Sequence, residues 1–325
     1  MQKGFLTLVT VVSGLLLFPS AILQARTRSR SLTVSVNDRT QVTDCGQVDI
    51  RYEDGETART EEQFTAAKSA VTSLDVTAPE NGGMMVQGWD RDEYSIKACK
   101  AAGAGSESRA KELLRQVSVS FQGGHLTATG PSDDDAWVVY FILRVPQGAA
   151  MALESHNGEI SLRNVSGKVT ARSHNGPIVL ADCSGELQAR TENGPISVKN
   201  STGKIDAQAQ NGPIDFSGSG QNVHLESQNG PLKIALAGTR WEGGELEART
   251  ENGPLTLDLP QNYVSGVRVE SAGYSPFVCR APACDQARGT WAENHRGIQF
   301  GNEAPVVRMS TVNGPVKIES KGRDE

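Results

Sequence analysis

The sequence predicts an all-β fold: a β-solenoid, single-stranded and β-helix-like, with 18-residue coils and one capping helix near residues 106–117. Three observations carry that expectation. Asn-Gly pairs recur at 157, 175, 193, 211 and 229, then at 252 and 313. Apolar residues alternate with polar ones on both sides of every pair. Proline follows the glycine in six of the seven pairs.

The alternation is regular. Positions six and four before each Asn, and three and five after it, are apolar in all seven units. Met151, Val169, Leu187 and Ile205 begin one such column, and Ile160, Ile178, Ile196 and Ile214 begin another. A period of two marks a strand, so each unit reads as strand, corner, strand. The position two before each Asn holds only small residues, from Ser155 to Thr311, as a tight corner requires. The corners are Asn157-Gly158, Asn175-Gly176, Asn193-Gly194, Asn211-Gly212, Asn229-Gly230, Asn252-Gly253 and Asn313-Gly314.

Asn-Gly is also the strongest short signal for a hairpin turn, which would give an antiparallel meander. Proline decides against it, because a two-residue hairpin closes through the N–H of the residue after Gly and Pro has none. In a stacked coil, Pro simply starts the next strand. Glycine at the corner is expected to supply a positive φ, and the stacked Asn side chains to form an amide ladder.

The remaining segments follow in order. Lys3, an uncharged run from Phe5 to Leu23, and Ala25 read as a signal peptide over 1–25, the alternative being an uncleaved anchor. Either reading places the remainder outside the cytoplasm. Residues 26–70 are polar and expected to be partly disordered. Residues 71–150 form an N-terminal cap and first coil. Their helix is marked by Ala110, Leu113, Leu114 and Val117 after an N-cap at Ser106, and Trp137–Pro146 is a strand. Regular coils fill 151–262, a loop insertion 263–305, and a closing coil 306–320.

Composition narrows the function. The 325 residues carry a net charge of −6 with both signs interspersed, which argues against a nucleic-acid footprint or a polybasic lipid patch. Membrane contact is expected only through an uncleaved N-terminus. Of five cysteines, Cys279 and Cys284 suit a small disulfide ring, Cys45 with Cys99 is a second option, and Cys183 reads as a small buried hydrophobe. No Cys-x-x-Cys or His-x-x-x-His spacing occurs, and neither a metal nor a cofactor is expected.

His156, His174 and Glu192 share one outward column, but it continues as Gln210, Gln228 and Glu251, which reads as a solvated face. Arg172 and Arg190 share another, as would suit an acidic sugar, diluted by Glu154, Gln208 and Glu226. Outward acids such as Glu159, Asp182 and Asp215 form no evident pair for saccharide cleavage, so no catalytic residue is assigned. The aromatic residues of the insertions, Trp241, Tyr274 and Trp291, are the binding candidates, against the alternative that they anchor their own loops.

Gly88-Trp-Asp-Arg-Asp-Glu93, the amphipathic Ser108–Gln116, Leu143-Arg-Val-Pro146, the Asn-Gly coils and Ser310-Thr-Val-Asn-Gly-Pro-Val316 together resemble a bacterial family. It is the β-strand-repeat domain of unknown function called "putative adhesin", and the likeness spans roughly residues 70–320. The resemblance implies a β-solenoid in an exported or membrane-attached envelope protein, with no catalytic residues to carry over. The Trp241 loop and the Cys279–Trp291 segment depart from the family pattern. The expected function is a non-catalytic extracytoplasmic module, structural or adhesive, that binds an envelope protein or glycan. A polysaccharide hydrolase or lyase, and a membrane-anchored stress sensor, are the alternatives.

Overall fold

The computed structural model describes residues 32–36, 42–132, 136–219, 221–272, 275–292, 295–301 and 303–320. Residues 1–25, expected to be a signal peptide, lie outside them. Among the described residues there are one α-helix and two long sheets, of 13 and 12 strands, besides a two-stranded sheet. The fold is all-β.

Each 18-residue unit contributes one strand to each long sheet. Strands preceding the Asn-Gly corner, such as Met151–Ser155, Ser166–Ser173 and Ser184–Thr191, lie side by side in the first sheet. Strands following it, such as Ile160–Arg163, Ile178–Ala181 and Ile196–Lys199, lie side by side in the second. All these neighbours are parallel and in register, Val169 opposite Leu187 and Ile178 opposite Ile196. That pairing rules out the hairpin meander. The apolar columns of both sheets meet in one continuous buried cluster, and all four columns are buried in every unit.

The corners stack as closely as their strands. Seven side-chain amide bonds of 2.7–3.0 Å join Asn81, Asn157, Asn175, Asn193, Asn211, Asn229, Asn252 and Asn313 in one ladder. Asn81 is its first rung, so the stack begins one unit before the regular repeat. The proline carbonyls accept from the strand of the preceding rung, as Pro195 does from Ile178 N–H at 2.9 Å.

Corner glycine plays a different role from the expected one. None of the seven has a φ in the left-handed region. A Cβ there would instead sit 1.9–2.2 Å from the glycine carbonyl of the preceding rung, so Gly is required by backbone contact between rungs. The left-handed residues occur at the opposite corner, at Asn164, Asp182 and Asn200 with φ of 51°, 55° and 49°. Asn and Asp tolerate that region better than other side chains. Between those corners Val165, Cys183 and Ser201 stack inward, and burial pushes the Cys183 thiol above its ordinary value.

Both ends are built differently from the regular coils. Of the 26–70 stretch, the described residues 32–36 and 42–70 include strands Leu32–Val36, Val48–Tyr52 and Glu56–Ala67. Glu56–Ala67 is polar because it is the outermost strand of the second sheet, paired antiparallel with Glu93–Ala104 and largely exposed. The disulfide Cys45–Cys99 ties this region to the sheet. The helix Glu107–Gln116, capped by Ser106, packs Ala110, Leu113 and Leu114 on Ala58, Ala102 and Ala104 of those same strands. Trp137 lies in the strand Ala136–Pro146, which runs parallel to Met84–Trp89.

At the other end, Pro305–Thr311 and Val316–Ser320 do not close the stack. They slot directly against the rung before the insertion, Leu246 opposite Val307 and Leu255 opposite Val316. The insertion supplies the outer rung, with Gly266–Ser271 and Phe277–Cys279 pairing outside them. Two antiparallel strands, Arg288–Ala292 and His295–Phe300, then finish the first sheet. The described strands of the 263–305 stretch thus flank the last repeat on its outer side.

Candidate binding groove

A strand alternates its faces, so the residues one and three before each Asn point outward while the small residue between them points inward. Stacking converts these positions into two parallel ridges with a low floor. Over five rungs they enclose an open groove of about 540 Å³. One ridge carries Arg172, Arg190, Gln208, Glu226 and Arg249, in register through adjacent strand pairs. The other carries Glu192, Gln210, Gln228 and Glu251. Ser173, Thr191, Ala209 and Ser227 form the floor.

The floor is fixed by its hydroxyls. Ser173 and Thr191 accept the N–H of Gly176 and Gly194 at 2.8 and 3.0 Å, and Ser227 donates to the Gly212 carbonyl at 3.0 Å. Size alone suggested these positions; their hydrogen bonds also satisfy polar backbone atoms that the corner buries. Arg172 and Arg190, by contrast, are loosely held. Arg172 lies 3.8 Å from Glu154 and Arg190 3.6 Å from Asp206, beyond hydrogen-bond reach.

At the N-terminal margin His156 and His174 stack face to face, with ring centroids 4.6 Å apart, and His174 Nδ1 lies 2.7 Å from a Glu192 oxygen. Among the described residues, no group of three or more His, Cys, Asp or Glu is placed to hold a metal ion.

The aromatic candidates fare differently. Trp241 is 6% exposed, with its ring 6.2 Å from Phe216 and its Nε1–H donating to the Gln221 carbonyl at 3.1 Å. Its backbone N–H donates to Ser265 Oγ at 3.0 Å. The ring anchors its loop into the core and offers no face to a ligand. Tyr274 and the Trp291 side chain lie outside what the structure describes. Cys279 and Cys284 are disulfide-bonded, with Cα atoms 6.0 Å apart.

Sequence reasoning singled out Arg172 and Arg190 and passed over Arg249, Gln210 and Gln228 as groove residues. The signal was available in the same columns, but the five-residue insertion before Asn252 displaces Arg249 from the regular period.

Fold and groove together define a class: an all-β protein of stacked parallel strands with a polar groove running along the stack. Neither a family model nor a curated protein matches the sequence. Several solved bacterial structures resemble the chain. A putative adhesin from Bacteroides fragilis aligns over 81% of this chain and 97% of its own, with 9% identity and a TM-score of 0.37. A putative adhesin from Parabacteroides merdae aligns over 82% and 98%, with 10% identity and a TM-score of 0.36. A putative cell adhesion protein from Clostridium sporogenes aligns over 81% and 100%, with 10% identity and a TM-score of 0.25.

Proposed function

We propose that this protein is an extracytoplasmic, non-catalytic β-solenoid, a structural or adhesive module of a bacterial cell envelope that binds a protein or glycan partner along its groove. The observation that carries this reading is the groove itself. Five in-register rungs hold a repeating polar surface on a backbone whose strands are all paired, and its arginines keep hydrogen-bonding capacity to spare. A rigid periodic surface suits an extended partner, because little ordering entropy is lost on the protein side. Parallel strands alternating between two sheets around one core support the solenoid description. Two disulfides support an oxidising compartment. No helix among the described residues is long and apolar enough to cross a membrane.

The purified protein should be retained on immobilised envelope polysaccharides or envelope proteins, with no release of reducing or unsaturated sugar ends. Retention that falls away when Arg190 and Gln210 are both replaced by Ala supports the groove. Sugar-end release abolished by groove substitutions would replace this reading with a hydrolase or lyase.

A further inference from the structure

Resting on the groove as the binding site, we propose that its ligand is a linear polysaccharide bearing carboxylates. The chain lies along the stack, with its carboxylate edge on the arginine ridge and its hydroxyl edge on the opposite ridge.

The two ridges differ in chemistry. The first holds Arg172, Arg190 and Arg249, whose guanidinium groups only donate and match a carboxylate in fork geometry, with Gln208 and Glu226 between them able to accept from a hydroxyl. The second holds no cation among its groove residues; Gln210, Gln228 and Glu251 accept from hydroxyls, and the two amides also donate. A ligand with acceptors along one edge and hydroxyls along the other satisfies both.

The arginines are also weakly committed. Arg249 has no ion pair or hydrogen bond among the described residues, and the nearest carboxylates to Arg172 and Arg190 lie 3.8 and 3.6 Å away. Three arginines elsewhere on the surface are held more closely: Arg240 to Glu303 at 2.8 Å, Arg268 to Glu270 at 2.5 Å, and Arg308 to Glu245 at 2.5 Å.

Shape favours sugar over peptide. The groove runs across the strands, whose backbone groups are already paired on both sides, so an extended peptide finds no open edge to join. Rungs repeat every ~4.8 Å, giving a run of ~20 Å that several linked pyranoses would occupy. At the middle rung the groove is lined by the uncharged Gln208, Ala209 and Gln210.

The test uses polygalacturonate, its fully methyl-esterified form and dextran as probes in affinity electrophoresis or calorimetry with the full-length protein. Arg249→Gln is the principal variant; the side chain is exposed, and its folding is checked by circular dichroism. Arg308→Gln, at a committed arginine outside the groove, is the control. The expected result is retention by polygalacturonate, at least about tenfold weaker binding of the methyl ester, about tenfold loss in Arg249→Gln, and no change in Arg308→Gln. Equal binding of acid and ester, or of Arg249→Gln and wild type, overturns carboxylate selection while the glycan-binding reading stands. Failure to bind any of the three overturns this proposal, and a protein then becomes the partner to seek under the broader reading.

Discussion

At each Asn-Gly corner the side chain that is missing matters as much as those present. A Cβ on Gly194 would lie 2.2 Å from the Gly176 carbonyl oxygen, a contact that backbone must relieve by separating two rungs. Gly194→Ala should therefore cost about 1–3 kcal/mol of unfolding free energy in a denaturant titration. Gly105→Ala is the matched control, since nothing lies within 4 Å of its Cβ position, and its stability should change by less than about 0.5 kcal/mol. Equal effects of the two substitutions would remove the close-contact account. Trp241 makes the complementary case. Buried beside Phe216, it should cost about 3–5 kcal/mol when replaced by Ala, with ligand affinity of the refolded variant unchanged. Loss of affinity without loss of stability would return the ring to the list of ligand contacts.

Strands in register place like positions of successive units side by side, so each outward column behaves as one electrostatic line. Glu186 stands between Lys168 and Lys204 on the flanking strands, 3.5 Å from each ammonium. Their charges, Lys168 foremost, hold its carboxyl below the ordinary range. A depressed folded-state pKa stabilises the fold above the unfolded carboxylate value, and that contribution is lost as pH falls through the folded value. The stability gap between wild type and Glu186→Gln should therefore be present at pH 7 and vanish in strong acid, as read from urea midpoints across pH 7 to 3. High salt should shrink it as well, because the pairs are exposed. A constant offset at every pH would show that the substitution acts through packing instead.

Among the described residues, the parallel stack is flanked by antiparallel strands at one end of the second sheet and at the far end of the first. Glu56–Ala67 with Glu93–Ala104 closes one end, and Arg288–Ala292 with His295–Phe300 finishes the first sheet at the other. Such strands guard against edge-to-edge association, to which an open parallel stack is prone. Deleting residues 261–303 would restore 18-residue spacing between Asn252 and Asn313 while leaving the last rung uncovered. The shortened protein should self-associate with rising concentration in light scattering. A monomer at all concentrations would show that the insertion is not needed as a cap.

Much of this architecture is legible in the residues themselves. Alternation on both sides of Asn-Gly-Pro, repeated every 18 residues, determines strand, corner and parallel register, because a pleated strand buries every second side chain and proline cannot close a hairpin. The amide ladder and the burial of the columns follow from that same stacking. Other features depend on pairing between segments far apart in the chain. Asn313 lies next to Asn252 although 61 residues separate them, because the last repeat pairs in register with the rung before the insertion while the insertion strands lie outside it. Glycine at the corner reads locally as a turn residue, and only the neighbouring rung shows that it is a contact residue. The groove likewise exists only once five units align, since each supplies two outward side chains and none is concave alone.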